Sequence, residues 1–416
     1  EAYGLANDGY STHAAFFDFD KDGDLDMFLI NHSLQGYTTG AMENPEWRDK
    51  RNINYQCRLY RNDFDEKRGH AVYTDISESA GIISNVLSFG LGLAVSDIND
   101  DGWPDVYVSN DFNEPDYLFI NNGDGTFQEC LKDWFNEVSL YSMGSDAVDY
   151  NNDGLIDLLT LDMLPEDNYA QKMHQGAENF EKFQKLFNQG FYSQYSRNML
   201  HKNNGDGTFS EIGQLAGVSN TDWSWAGLFS DFDNDGFKDL VVSTGYVKDY
   251  TDMDFIQYTV DLTIKLRNEE KNAAIMEYIA KMPDKKLSSS LYKNNGNSTF
   301  KKVSDEWGLT YKTVATGAAY ADLDNDGKMD LVFSHINDYA GVYQNTGTGV
   351  QHNHYLKISL QGSQYNRLGI GTKVKLYTGD KLLYQEQQPS RGYQSSVDPI
   401  LNFGLGGSTT VDSIYI

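Results

Sequence analysis

Five nine-residue segments with the same aspartate-rich pattern constrain this chain more than any other feature. They share the form D-x-[DN]-x-D-G-x-x-D and lie at residues 18–26, 97–105, 149–157, 231–239 and 322–330. A short run of β-branched and aromatic residues follows each segment, which is typical of a β-strand. One copy would be a weak signal, but five copies in register indicate a repeated unit built around a cation.

The residue types in these segments, here called loops 1 to 5 in chain order, predict calcium. Oxygens at positions 1, 3 and 5, a main-chain carbonyl at position 7 and a carboxylate at position 9 can surround one hard cation, and glycine at position 6 permits the sharp turn. A flexible cage of oxygens suits calcium better than magnesium, so about five calcium ions are expected. The predicted ligands are Asp18, Asp20, Asp22, Asp24, Asp26, Asp97, Asn99, Asp101, Trp103, Asp105, Asp149, Asn151, Asp153, Leu155, Asp157, Asp231, Asp233, Asp235, Phe237, Asp239, Asp322, Asp324, Asp326, Lys328 and Asp330.

The EF-hand begins with the same pattern but does not fit these loops. It requires a bidentate glutamate at position 12 and a following helix. Position 12 instead holds Leu29, Val108, Thr160, Val242 and Phe333. Since none of these side chains offers a carboxylate, and strands follow the loops, the EF-hand is excluded.

The formal net charge of −28 excludes a general electrostatic affinity for nucleic acid backbones or anionic lipid. About a third of the 61 acidic residues lie in the five loops. Much of the acidity therefore belongs to the predicted metal sites.

A four-stranded antiparallel meander is predicted around each loop. A run of small residues precedes the loop, a strand follows it, and two further strands meet at turns such as NNGDG, whose residues favour the positive φ angles of tight hairpins. Loop starts are 79, 52, 82 and 91 residues apart, so connections of variable length separate constant units. Tandem four-stranded sheets with small residues on the central strand indicate an all-β fold, a β-propeller, with a solenoid as the alternative.

The Phe89-Gly90 pair, the Gly317-Ala318 pair and the D-x-D-x-D-G-x-x-D loops resemble FG-GAP or VCBS repeats over about residues 10–350. From residue 354 onward, HYLKISLQG, NRLGIGTKV, RGYQSS and LNFGLGG resemble the ASPIC/UnbV domain. The resemblance implies a calcium-bearing propeller outside the cytoplasm, usually seven-bladed, although only five repeats are legible. Members of the family continue into a Trp-Pro segment, so the sequence is expected to stop at Ile416 before the protein does.

Two domains are predicted, a propeller over residues 1–350 and an ASPIC/UnbV-like β domain over residues 351–416. The propeller contains three long insertions near residues 32–56, 162–197 and 246–289. Because each insertion leaves the strand end opposite to the calcium loop, all three should share one face, opposite the loops.

Two insertions have helical character. Residues 179–195 place Phe180, Phe183 and Phe187 at helical spacing, and residues 255–282 have few interruptions. Their apolar faces either pack on the propeller or form a docking surface.

The sequence contains no H-E-x-x-H, G-x-S-x-G, P-loop or dinucleotide motif, so no catalytic residue is predicted.

The run His352-Asn353-His354 is interpreted as an exposed linker. Trp223 and Trp225 are interpreted as packing residues, and Cys57 and Cys130 as unpaired thiols. The paired carboxylates of a glycosidase cannot be identified among the many loop acids. Asp111, Asp162 and Asp338 follow the post-loop strands and are interpreted equally well as turn formers.

These observations favour a non-enzymatic, extracytoplasmic binding or assembly module whose rigidity depends on calcium. The expected location is the cell surface or outer membrane, with or without a lipid anchor, or secretion. The expected partner is a protein bound at the insertion face, within a membrane-protein complex or alone. A polysaccharide-active enzyme and a lectin-like propeller are the alternatives. No nucleic acid partner and no transmembrane span are expected.

Overall fold

The computed structural model describes residues 2–34, 44–173, 180–249, 251–258, 279–282, 285–347 and 353–416. Five successive antiparallel sheets follow the chain, and within each the strand order in space equals the order in sequence. Sheet 1 contains Ser11–Phe17, Asp26–Asn31, Arg58–Asp65 and His70–Asp75; sheet 2 contains Gly90–Ser96, Asp105–Asn110, Tyr117–Asn121 and Phe127–Glu129; sheet 3 contains Ser145–Val148, Asp157–Thr160, Met199–Asn203 and Phe209–Glu211; sheet 4 contains Ser224–Ser230, Asp239–Thr244, Ser290–Asn294 and Phe300–Lys302; sheet 5 contains Ala315–Ala321, Asp330–His335 and Gly341–Tyr343.

The predicted meander is confirmed in the first four sheets, and each aspartate-rich loop joins the first strand of a sheet to its second. In the fifth repeat the described residues form three strands rather than four. The first strand of each sheet packs against the first strand of the next, which is the arrangement of a propeller around a central axis. The fold is therefore an all-β propeller, and the expectation of seven blades stays a prediction.

Small residues on the first strands are required by this close packing. A Cβ added at Gly92 would lie 2.4 Å from the carbonyl oxygen of Met143, and one at Gly227 would lie 2.8 Å from Cδ2 of Leu159. The strands nearest the axis can approach one another only where side chains are small.

The C-terminal domain is a small β structure with its own apolar core. Its strands are His354–Ile358, Lys373–Thr378, Lys381–Glu386, Leu401–Gly406 and Ser413–Tyr415. The core contains Val374, Leu376, Leu383, Leu401, Phe403 and Leu405.

A loop of this domain, residues 386–398, runs along the propeller axis, and we call it the axial loop. It contacts the first strand of every sheet. The contacts are Ser390 with His13 in sheet 1, Glu386 with Ser96 in sheet 2, Gly392 with Ser145 in sheet 3, Arg391 with Phe229 in sheet 4 and Ser395 with Ala318 in sheet 5. The two predicted domains therefore form one packed unit, which the sequence did not indicate.

Helices are short and lie between the strands. They are the 3₁₀ helix Pro45–Asp49 and the α-helices Leu131–Trp134, Asn168–Met173, Phe180–Asn188 and Gly213–Ala216, and residues 253–258 and 279–281 are also helical. Two-residue strand pairs join Val138–Ser139 to Gln194–Tyr195 and Leu287–Ser288 to Lys312–Thr313. No helix among the described residues is long and apolar enough to cross a membrane.

The helix predicted over residues 179–195 is wrong beyond Asn188. Gly190 adopts a left-handed φ of 86°, which ends the helix, and residues 194–195 are extended. Most of the second predicted helix, residues 259–278, lies outside the described residues.

Candidate metal centres and the insertion face

All five aspartate-rich loops adopt the same backbone conformation. The residue at position 4 has a left-handed φ in every loop although none is glycine, and the glycine at position 6 has a φ between 84° and 98°. The position-4 residues are Lys21, Asp100, Asn152, Asn234 and Asn325. Five repeats of an uncommon conformation show that the loops are one structural motif.

The aspartate at position 1 is held by the glycine turn. Its Oδ2 accepts a hydrogen bond from the backbone N–H at position 6 in each loop, at 3.0 Å for Asp18, 2.7 Å for Asp97, 3.0 Å for Asp149, 2.8 Å for Asp231 and 2.9 Å for Asp322. The loop therefore wraps around this carboxylate.

The aspartate at position 9 is buried and anchors the loop to the third strand of its sheet. In loop 2, Oδ2 of Asp105 accepts from the N–H of Ile98 at 2.9 Å, and Oδ1 accepts from the N–H of Asn121 at 2.8 Å. The equivalent bond reaches Asp26, Asp157, Asp239 and Asp330 from Asn62, Asn203, Asn294 and Asn345. Asn345 lies two residues beyond the third strand of sheet 5.

The third-strand asparagines were missed by sequence reasoning, and they connect neighbouring sheets. Four of them donate from Nδ2 to the position-2 carbonyl of the preceding calcium loop: Asn121 to Phe19 at 2.9 Å, Asn203 to Ile98 at 2.9 Å, Asn294 to Tyr150 at 2.9 Å and Asn345 to Phe232 at 2.7 Å. The signal was present, because an asparagine recurs at this place in RND, NNG, NNG, NNG and NTG. It was interpreted only as part of a turn.

Burial raises the pKa values of several loop carboxylates, which therefore resist ionisation without a cation. Burial raises the pKa of Asp26 and of Asp105 to about 8, and burial with the nearby Asp22 raises the pKa of Asp24 to about 6. In loop 4, burial and the neighbouring aspartates raise the pKa values of Asp231 and Asp239 well above the ordinary range. A bound divalent cation would offset the cost of ionising such clustered acids.

The arrangement of the side-chain oxygens also suits a hard cation. The atoms Oδ1 of Asp18, Asp20 and Asp24 are buried and have no hydrogen-bond partner. Carboxylate oxygens of three aspartates lie within 4.8 Å of one another in three loops, formed by Asp18, Asp20 and Asp22, by Asp231, Asp233 and Asp239, and by Asp322, Asp324 and Asp330. Loops 2 and 3 carry asparagine at position 3 instead. The carbonyl ligand at position 7 stays a prediction.

Lysines reach several of the predicted ligands. Lys293 of sheet 4 contacts Asp233 and, at 2.7 Å, Asp235. From the C-terminal domain, Lys357 contacts Oδ2 of Asp322 at 2.6 Å and Lys373 contacts Oδ2 of Asp97. The C-terminal domain therefore covers part of the calcium-loop face.

Asn353, interpreted as part of an exposed linker, makes a specific contact on that face. Its Nδ2 donates to the carbonyl oxygen of Asp233 at 2.8 Å. His354 is exposed, and His352 lies outside the described residues. The linker interpretation is therefore wrong for Asn353, because this residue ties the C-terminal domain to loop 4.

Two of the insertions lie side by side. Arg48 forms an ion pair with the buried Glu114 at 2.9 Å and donates to the carbonyl oxygen of Gly190 at 2.6 Å. A groove of about 540 Å³ follows the helix Phe180–Asn188 and is lined by Leu140, Phe180, Lys182, Phe183, Leu186, Tyr192, Gln194, Tyr195, Ser196 and Arg197. Phe180 is 76% exposed and Leu186 is buried, so the helix both packs inward and presents an aromatic face.

The other candidate residues have structural surroundings. Asp162 is buried and accepts from the hydroxyl of Ser139 at 2.5 Å and from the N–H of Tyr141 at 3.0 Å. Trp223 is buried, and Trp225 packs 5.0 Å from the ring of Tyr393 in the axial loop. Both cysteines are free, as predicted, and both are buried.

Asp111 and Asp338, interpreted as turn formers, each accept a hydrogen bond from the backbone N–H of the next residue. These bonds measure 2.7 Å for Asp111 and 2.8 Å for Asp338. Asp338 also accepts from the hydroxyl of Tyr311 at 2.8 Å. Such local bonds are typical of turn residues.

Comparison with known protein families decides the architecture. The model for FG-GAP-like repeats matches residues 97–160, 190–242 and 283–333, and the model for ASPIC and UnbV matches residues 362–416. The chain carries FG-GAP-like repeats followed by an ASPIC and UnbV domain. The first FG-GAP-type loop, residues 18–26, lies outside the matched residues but has the same backbone as the others.

Curated relatives share this organisation over part of their length. Cartilage acidic protein 1 of Homo sapiens is 24% identical over 348 residues, covering 82% of this chain and 42% of that protein. The Xenopus tropicalis protein of the same name is 24% identical, covering 82% of this chain and 43% of that protein. The chain thus spans less than half the length of the curated relatives it matches.

Solved structures resemble the FG-GAP chain only distantly. A lectin from Agrocybe aegerita that recognises non-reducing terminal N-acetylglucosamine aligns with 13% identity and a TM-score of 0.35, covering 81% of this chain and 67% of the lectin. A GH43 β-xylosidase/α-arabinofuranosidase from a compost microbial metagenome aligns with 10% identity and a TM-score of 0.33, covering 82% of this chain and 92% of the enzyme. These scores carry no argument about function.

Proposed function

We propose that this FG-GAP propeller is a non-enzymatic, extracytoplasmic binding module that calcium stabilises and that engages a protein partner through its insertion face. The observation that carries the proposal is the division of the molecule into two faces. The C-terminal domain contacts the calcium loops, whereas exposed aromatic side chains lie on the insertions.

Calcium has a structural role in this proposal. Loops 1 to 4 each supply the position-2 carbonyl that an asparagine of the next sheet binds, as in the pair Asn203 and Ile98. A cation that holds the loop closed therefore also holds neighbouring sheets in register. A ligand that binds only the folded state stabilises it by linkage.

The groove along Phe180–Asn188 supplies the proposed docking surface. Phe180 and Phe187 are 76% and 46% exposed, and Phe183 stacks on Tyr195 with ring centroids 5.3 Å apart. Lys182 adds positive charge to the lining of a strongly acidic chain, whereas the charge of Arg197 is already paired with Glu137 and Glu211. This chemistry suits a protein segment that offers an apolar anchor beside acidic side chains.

The groove lining also bears on the enzymatic alternative. A glycosidase requires a pair of carboxyl groups flanking its substrate. The ten lining residues include no aspartate or glutamate. The groove therefore favours binding over hydrolysis.

The relatives support a location outside the cytoplasm by analogy, because their name refers to cartilage, a tissue that consists largely of extracellular matrix. The proposed location includes association with an outer membrane or through a lipid anchor. Fractionation of the native protein tests this location.

The test of the partner face is site-specific photo-crosslinking in native membranes and secreted fractions. A photoreactive residue at Phe180 should capture a protein in calcium buffer, whereas the same residue at Leu215, which is 72% exposed on another helix, should not. Equal capture at both positions would contradict the insertion-face proposal. Binding to a glycan array with no protein captured would favour the lectin-like alternative.

A further inference from the structure

The five calcium loops differ in what already contacts their carboxylates. In loop 1, three buried aspartate oxygens have no hydrogen-bond partner. In loops 2 and 5, lysines of the C-terminal domain contact the position-1 aspartates Asp97 and Asp322. These two aspartate side chains are only 1% and 0% exposed, so each ammonium group neutralises a buried carboxylate.

We infer that calcium and the C-terminal domain compete for Asp97 and Asp322, which makes loops 2 and 5 weak calcium sites and couples them to domain docking. This inference rests on the proposed calcium binding. Each loop folds around its position-1 carboxylate. Lys357 and Lys373 lie on two strands of the C-terminal domain whose apolar side chains share one core. A divalent cation beside the same oxygen would be repelled by the ammonium or would displace it.

Coupling of this kind is reciprocal. If lysine contacts lower calcium affinity at loops 2 and 5, bound calcium must weaken the lysine contacts by the same factor. Loop 1 has no part in this competition and should fill first. The propeller would then have a structural calcium site in loop 1. The calcium affinity of the other two sites, loops 2 and 5, would depend on whether the C-terminal domain is docked.

Two further observations give loop 2 a specific probe and a matched control. Trp103 occupies position 7 of loop 2, whose main-chain carbonyl is a predicted ligand, so we expect its indole to sensitise the luminescence of terbium bound there. Lys375 lies two residues from Lys373 on the same strand, but its Nζ is 3.8 Å from Asp100 at position 4, which is not a predicted ligand.

The experiment is a terbium titration of the full chain, excited at tryptophan, followed by displacement with calcium. The Trp103→Phe variant identifies the signal of loop 2 by removing it. Lys373→Met should raise calcium affinity at loop 2 by at least about tenfold, because a nearby positive charge is lost. Lys375→Met should leave the affinity within about twofold, and Lys373→Arg should behave like the unmodified chain.

Docking gives a second, independent measurement. Calcium should increase hydrogen exchange in His354–Ile358 and Lys373–Thr378 of the unmodified chain, and this response should disappear in the Lys357→Met/Lys373→Met variant. If calcium binds loop 2 with equal affinity in the Lys373→Met and Lys375→Met variants, the inferred competition is wrong, but the proposed calcium binding still stands. Absence of any calcium binding by the unmodified chain would overturn the proposed function as well.

Discussion

Arg391 of the axial loop forms a two-bond ion pair with Asp146 on the first strand of sheet 3, at the centre of the propeller. Nε donates to Oδ1 at 2.7 Å and Nη2 donates to Oδ2 at 2.6 Å, and the side chains are 14% and 1% exposed. Arg391 also donates to the carbonyl oxygen of Phe229 in sheet 4 at 3.2 Å. One residue of the C-terminal domain therefore joins two sheets at the axis.

Replacing Arg391 by methionine should destabilise the fold by about 3–5 kcal/mol, because Asp146 would remain as a buried, unpaired charge. Urea denaturation measures this loss. The control is Arg68→Met, which removes an exposed pair with Asp65 and should cost less than about 1 kcal/mol. The prediction fails if both variants lose the same stability.

Replacing Asn203 by alanine should cost about 2–3 kcal/mol, since the carbonyl oxygens of Ile98 and Ile156 would lose their buried donor. The adjacent Asn204 provides a matched control. It is exposed, donates to the hydroxyl of Thr208 and accepts from the hydroxyl of Ser210 within the same hairpin, so Asn204→Ala should have a small effect. Equal denaturation midpoints for the two variants would show that the inter-sheet bond contributes little.

Removal of calcium should lower the melting temperature of the whole chain. Each filled site adds stability by linkage, about 2.7 kcal/mol when free calcium exceeds the dissociation constant a hundredfold. Calorimetric melts with calcium, with magnesium and with chelator measure the effect, and magnesium should restore little of it. An identical melt after complete metal removal would contradict the structural role of the loops.

His201 should make stability depend on pH. Burial lowers its pKa to about 3, against 6.5 for the unfolded chain, so unfolding takes up a proton between these values. Its contribution is complete above pH 6.5 and is lost as pH falls toward 3, with a slope of up to about 1.4 kcal/mol per pH unit. Denaturation of a His201→Gln variant between pH 6.5 and 4.5 should show a shallower decline. An exposed control, His354→Gln, should leave the decline unchanged.

Much of the calcium-loop geometry could be predicted because its determinants are local in sequence. The bond from position 6 to position 1 spans five residues, as in Gly102 and Asp97, and glycine at position 6 supplies the required φ. A pattern of this length can be read directly from the chain. Strand order could also be predicted, because strands that follow one another in the chain usually pair in space, even where an insertion separates them.

The sequence by itself determined the repeated loops, the antiparallel meanders and the order of the two domains, since each depends on residues close together in the chain. Only the tertiary structure decided where the C-terminal domain lies. The pairs Arg391 with Asp146 and Lys373 with Asp97 join residues 245 and 276 positions apart. Long-range contacts of this kind depend on how the whole propeller packs, so no local pattern in the sequence predicts them.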